Sequence, residues 1–397
     1  LLTSAYRVML LTRGKILQVS VFNPQELRHG FSAARTIIQI SAPDGPFYVI
    51  SVRERLRSMG HPIVQLIHPI LPVTWDAHGR LDGLGEDRLP SRQSLIHIEI
   101  ERVDDPKELA RIEREIRSAF ADIFSAVRDF GRMRAAVSET MQELAGLMSS
   151  GKPRLARLNE ISDFLHWLDD GNFVFLGYRE YDIASRGSQK NYAVRRGSSL
   201  GIRGNEKRSR FFRPVAFSRL PDEVRRGIAG VSPYSIAQTT ALSPVYRRER
   251  MICVSMKKID PAGRIVGVRR WIGLLTNRVE GLPPTDIPII REKFRHVVAA
   301  EGAEDHSHNY REIYGIFSGS PKEFLFTASV PDLCKETRVA MEAQSAHDFR
   351  ATFRPDRHGV SVMVVMAKDK FSRESRLRIE EILRRRLEAS EIDYSLS

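Results

Sequence analysis

Apolar residues recur along this chain in two spacings, one helical and one alternating, and their succession predicts the elements. Residues 1–20 read as a helix followed by an edge strand, with a turn at Phe22-Asn23-Pro24. Residues 36–40 are β-branched and strand-like. Asp44-Gly45-Pro46 opens a helix over 47–59, with Pro46 in its first turn and Gly60 closing it. Residues 63–73 form an apolar run that reads as a strand kinked or edge-placed at Pro69 and Pro72. Residues 76–79 make a hairpin-type turn. In residues 94–100, Leu95, His97 and Glu99 alternate with Ile96, Ile98 and Ile100. Asp104-Asp105-Pro106 caps a helix to about residue 130, and a second helix follows to 148. The order strand, helix, strand, strand, helix is that of an α+β sandwich with helices on one face of an antiparallel sheet.

Residues 149–157 read as a linker. Leu158, Ile161, Leu165 and Leu168 then mark a helix that stops at Asp169-Asp170-Gly171-Asn172, where an aromatic strand begins. Strict alternation puts Phe173, Phe175, Gly177, Arg179 and Tyr181 on one face and Val174, Leu176, Tyr178 and Glu180 on the other. The first half is apolar on both faces, as in a central strand. Residues 185–209 read as a long loop or hairpin tip. Residues 250–259 and 264–276 read as two strands joined at 260–263, and 283–286 caps a helix over 287–301. From 322 onward a second module is predicted: a strand at Phe324-Leu325-Phe326, a helix over 331–342, a hairpin around 355–358 and a basic helix over 372–388. The element order repeats that of 36–130, though the residues do not. The domains follow as 1–150, a middle α+β region at 151–318, and a second module at 319–397.

Composition adds less than charge does. The chain has 397 residues, 42% hydrophobic and 28% charged, as in an ordinary soluble globular protein of two or three domains. No apolar run is long enough to span a membrane. Cys253 and Cys334 match no metal or redox spacing, which fits a reducing compartment. With Leu at position 1 the chain reads as a fragment or a mature form, without a secretory signal. Residues 186–270 hold 20 Lys+Arg against 5 Asp+Glu, while the remainder is nearly neutral at 42 against 44. The net charge of +13 therefore comes from one stretch, a surface for nucleic acid, an acidic partner or anionic metabolites, or simply a solvated basic face.

The chemistry of catalysis is not spelled out. There is no Gly-x-Gly-x-x-Gly to bring backbone against a pyrophosphate, no phosphate loop and no nucleophile elbow. His306 and His308 lack companions for a metal site, and His68 and His97 lie in predicted strands. Arg208, Arg210, Phe211, Phe212 and Arg213, with Tyr246, Arg247, Arg248 and Arg250, mix charge with rings as single-strand nucleic-acid sites do.

The stretch Phe164-Leu-His-Trp-Leu168 followed by Gly171-Asn-Phe-Val-Phe-Leu-Gly-Tyr-Arg-Glu-Tyr181 resembles the N-terminal half of the large bacterial NAD-specific glutamate dehydrogenases. Val21-Phe-Asn-Pro24, Ile67-His-Pro-Ile70, the 94–100 strand, Leu200-Gly-Ile202, Arg269-Arg270 with Gly273-Leu274, Asp286-Ile-Pro288 and Asp356-Arg357 match in family order. The resemblance departs at Ile50, where the family has an acid before the serine of the first helix, and at Thr240, Leu242 and Tyr246, within a run that is polar in the family.

The resemblance implies ACT-type βαββαβ modules, the second lacking its last strand, in a regulatory and assembly segment. The full-length enzyme oxidatively deaminates L-glutamate with NAD, in a catalytic domain far downstream of this region. This chain is then expected to hold no catalytic, cofactor or metal residues, to work in the cytoplasm as part of a homo-oligomer with that catalytic portion, and to bind neither membrane nor nucleic acid. An amino-acid effector is expected at Asp44, Gly45 and Phe47, where backbone N–H groups at a helix start suit a carboxylate. The alternative is a stand-alone basic protein that contacts nucleic acid or an acidic partner.

Overall fold

The structure, a computed structural model, describes residues 16–84, 91–149, 158–186, 189–346, 349–356, 359–389 and, near the end, 392, 394 and 396. The expected helix within residues 1–20 and the 149–157 linker fall largely outside them. Two antiparallel sheets share one long helix.

The first sheet contains β1 (Gln18–Phe22), β2 (Arg35–Pro43), β3 (Ile63–Ile67), β4 (Ile70–Trp75), β5 (Leu81–Leu84) and β6 (Ser91–Glu101). Its order is β1-β2-β6-β4-β5, with β3 also on β6. The apolar run at 63–73 is broken at His68-Pro69: β3 pairs with the far end of β6 and β4 with its start. Helix α1 (Tyr48–Ser58) crosses from β2 to β3. It ends as Gly60 enters the left-handed region, where the His61 N–H donates to Leu56 O at 2.9 Å and the Gly60 N–H to Arg57 O at 3.1 Å. Helix α2 (Pro106–Ser149) begins where Asp105 Oδ1 accepts the Lys107 N–H at 2.9 Å. In a βαββαβ unit a last strand would return beside the first. Here β1, which precedes the unit, fills that edge beside β2.

Helix α2 is one helix of 44 residues where two were expected. Gly131 does not break it, because its neighbours bury on opposite sides of the junction. Ile112, Ile116, Phe120 and Ile123 pack with the first sheet and α1. Met133, Val137 and Leu144 pack into the core of the middle region.

The middle sheet runs β10-β8-β7-β13-β12-β11, with β9 on β7. Its strands are β7 (Phe173–Arg186), β8 (Gln189–Val194), β9 (Leu200–Gly201), β10 (Val215–Ala216), β11 (Tyr234–Leu242), β12 (Arg250–Ile259) and β13 (Ile265–Leu275). Helix α3 (Leu158–Trp167) precedes β7, and Gly171 at φ 75° turns the chain between them. Residues 185–209 are thus only partly loop, since β8 returns along β7. The strict alternation expected for 173–181 also fails. Ile272 pairs with Gly177 and Gly273 with Phe175, leaving Leu176 as an extra residue. That bulge reverses the facing beyond it, so Phe175 and Tyr178 share one core while Leu176 belongs to the other. Gly273 admits the bulge; a Cβ there would lie 2.0 Å from Val174 O.

A helical layer closes the Phe175 face: α3 with α5 (Ile290–Ala300), α6 (His308–Gly319), α7 (Lys322–Thr327) and α8 (Val330–Ala346), α4 (Asp222–Ala229) lying on the opposite face. Phe324-Leu325-Phe326 is therefore helical, not the expected strand; three apolar residues are too few for periodicity to separate the two. Lys293 fixes the end of α7, its Nζ donating to Leu325, Phe326 and Ala328 O at 2.7–2.8 Å. Beyond α8 come the hairpin β14 (Arg350–Asp356) and β15 (Gly359–Val365) and the helix α9 (Arg373–Arg386), which Ser372 and Ser375 start with a reciprocal capping box.

Candidate regulatory site

The turn from β2 into α1 contains all three expected ligand residues, and the chain is tightly specified there. The Tyr48 hydroxyl reaches back to donate to Pro43 O at 2.8 Å. A Cβ on Gly45 would sit 2.7 Å from that hydroxyl, so the return contact requires glycine. Burial, with Asp44 nearby, pushes the Tyr48 phenol up to about 12, so it stays a donor at neutral pH. Asp44 is anchored at both ends: its N–H donates to Arg92 O at 2.9 Å and its Oδ1 accepts from Ser94 Oγ at 2.8 Å. Phe47 caps the helix in the left-handed conformation at φ 73°, without a side-chain cap. Among the described residues no side chain is seen to cap the first-turn N–H groups of α1, which a helix start leaves without intrahelical acceptors.

What the sequence did not reveal is the neighbour. The Tyr246 N–H donates to Ser51 Oγ at 2.9 Å, across 195 residues, and the Phe47 and Tyr246 rings lie 5.5 Å apart. Tyr246 is also left-handed, at φ 68°. Two bulky residues in a sparsely populated conformation thus face one another at the seam between the sheets. From Tyr246 the contacts continue inward: Arg247 donates to Asn277 Oδ1 and Leu275 O, both at 2.7 Å. The turn is linked in this way to the end of β13. The departures at Ile50 and Tyr246 flank this seam, since Ser51 is its acceptor.

The other candidates separate. His97 is buried with Gln39 Nε2 and Glu99 Oε1 each at 3.4 Å, and burial lowers its pKa despite Glu99. Burial likewise lowers His68, against the pull of Asp44. His308 begins α6 beside Glu312. Among the described residues no group of three or more His, Cys, Asp or Glu could hold a metal, and no helix is long and apolar enough to cross a membrane. Phe211 is no platform for a base: it is 5% exposed and packs edge-on against Tyr181 and Tyr192.

Part of the basic stretch is also spent internally. Glu180 accepts from Tyr178 Oη at 2.7 Å, Lys258 Nζ at 2.7 Å and Arg195 at 3.0 Å. Burial alone would raise its pKa, but those bonds outweigh burial and hold it at about 2. Arg269, 4% exposed, forms two 2.7 Å bonds with Glu143 of α2 and a third with Thr140.

Three family models match the chain in order. "Glutamate dehydrogenase, ACT1 domain" covers residues 1–116, "helical motif 1" of the same enzyme covers 287–345, and its "ACT2 domain" covers 350–397. The NAD-specific glutamate dehydrogenase of Halomonas elongata is 29% identical over 385 residues, 95% of this chain and 24% of that protein. Its counterpart in Pseudomonas aeruginosa is 28% identical over 392 residues, 95% of this chain and 23% of that protein. That of Mycobacterium tuberculosis is 25% identical over 382 residues, 92% and 21% respectively. The chain spans about a quarter of the length of these relatives. In order and extent it resembles the N-terminal, ACT-containing portion of a large NAD-specific glutamate dehydrogenase.

Proposed function

We propose that this chain is the regulatory and assembly segment of an NAD-specific glutamate dehydrogenase that works in the cytoplasm. Hydride transfer from L-glutamate to NAD, which yields 2-oxoglutarate, ammonium and NADH, belongs to a catalytic portion of the same enzyme. The partners of the segment are that portion and further copies of the chain. An amino-acid effector binds at Asp44, Gly45 and Phe47, its carboxylate on the first-turn N–H groups of α1 and its ammonium toward Asp44. The observation that carries this reading is the Ser51–Tyr246 hydrogen bond, which joins the turn of the ACT1-matching sheet to the middle sheet. A ligand that changes the turn thereby changes a contact leading to β13. Isothermal calorimetry of the chain with a panel of amino acids tests it: at least one gives saturable heat, and Asp44→Ala abolishes that heat. Absence of heat across the panel removes the effector site from the proposal.

A further inference from the structure

The strands of the middle sheet contain only two acids, Glu180 and Asp182, and alternation puts both on the face that carries Tyr178 and Arg269. The opposite face carries Arg179 and Arg270, with no carboxylate from any of these strands. Arg179 is satisfied by oxygens of the following loop: Ser199 Oγ at 2.7 Å, Arg203 O at 2.5 Å and Asn205 O at 3.1 Å. Arg270, which is half-buried, is not fully satisfied. Its guanidinium lies 5.1 Å from the centre of the Tyr181 ring, and its Nε is buried without a hydrogen-bond partner. The residue opposite Arg270 on β12 is Ser255 and on β7 is Arg179, so neither neighbouring strand supplies an anion.

A second group at the same place is also unanswered. Tyr192 is 0% exposed, stacked on Tyr181 at 4.9 Å, and its hydroxyl has no partner. The Tyr181 hydroxyl accepts from Arg203 at 3.3 Å, which brings a second guanidinium to the cluster. A buried guanidinium Nε and a buried hydroxyl left without partners each cost free energy unless something outside the chain completes them. What completes two guanidinium groups and a phenol is an oxyanion, because a guanidinium fork matches carboxylate or phosphate oxygens.

We propose that Arg270, Arg203 and Tyr192 bind a small oxyanion, a carboxylate or a phosphate, over the Tyr181 ring. This site is distinct from the Asp44–Phe47 turn and does not depend on it. The test uses the full 397-residue chain at low ionic strength, titrated separately with inorganic phosphate and with succinate and followed by thermal unfolding and calorimetry. A saturable rise in Tm supports the site, and the anion that gives the larger rise at equal concentration identifies its chemistry. Arg270→Lys keeps the charge but loses the fork, and weakens binding about tenfold. Tyr192→Phe, which breaks no hydrogen bond within the chain, weakens it about threefold. A chain indifferent to both anions at millimolar concentration overturns the proposal. So does wild-type affinity in Arg270→Lys.

Discussion

The two faces of the middle sheet receive similar numbers of cations and treat them in opposite ways. On one face Arg269, Lys258 and Arg195 converge on Glu180 and Glu143, and the Tyr178 hydroxyl completes the set. On the other, Arg179 is absorbed by loop oxygens and Arg270 rests on a ring. The difference shows that an unevenly basic sequence need not make a basic surface. Each cation has to be followed to its acceptor before any excess is assigned to a partner.

The largest break in this contrast is expected at Glu180. Replacing it with Ala leaves the mostly buried Lys258 without its carboxylate and Arg269 with Glu143 alone, and costs about 3–5 kcal/mol, read as a lower urea midpoint. Preserving shape sharpens the point through pH. The Glu180 pKa is held at about 2, below its unfolded value near 4.5, so its stabilisation is complete above 4.5 and is lost as pH falls from 4.5 to 2. Glu180→Gln therefore flattens the acid limb of a stability–pH curve in that window, and an unchanged limb would mean another carboxylate carries it. On the opposite face, Arg270→Met leaves no buried carboxylate unpaired, and is expected to change stability by no more than about 1 kcal/mol without ligand, far less than Glu180→Ala. The smallest effect belongs to the exposed Arg225–Asp222 pair on α4, where Arg225→Ala shifts unfolding by less than about 0.5 kcal/mol.

Much of the fold was legible because local signals agreed. The helix stop at Asp169–Asn172, the 260–263 hairpin and the Asp104-Asp105-Pro106 cap all appear where their residues dictate. The failures share a cause, which is that the deciding partner is distant. Periodicity places a strand at 173–181, but only pairing with β13 reveals the extra residue at Leu176. Phe324–Phe326 is settled by Lys293, about thirty residues upstream. The helix 308–319 was not anticipated, although Ser307, whose side chain accepts the Tyr310 N–H, was a readable cap. At the candidate site the turn itself was legible from Asp44-Gly45-Pro46. The Ser51–Tyr246 contact was not, because nothing local in either segment refers to the other.

The place of β1 has a consequence for how the two cores are joined. A strand following α2 would have to turn back and close the first sheet, and that return would limit the helix to the width of the unit. With β1 already on that edge, α2 is released from the return and continues for 44 residues, about 66 Å at 1.5 Å per residue. It leaves the first sheet still helical and enters the middle core without an intervening hinge. The borrowed edge strand thus leaves one unbroken helix to brace both cores, Ile112–Ile123 against the first sheet and Met133–Leu144 against the second.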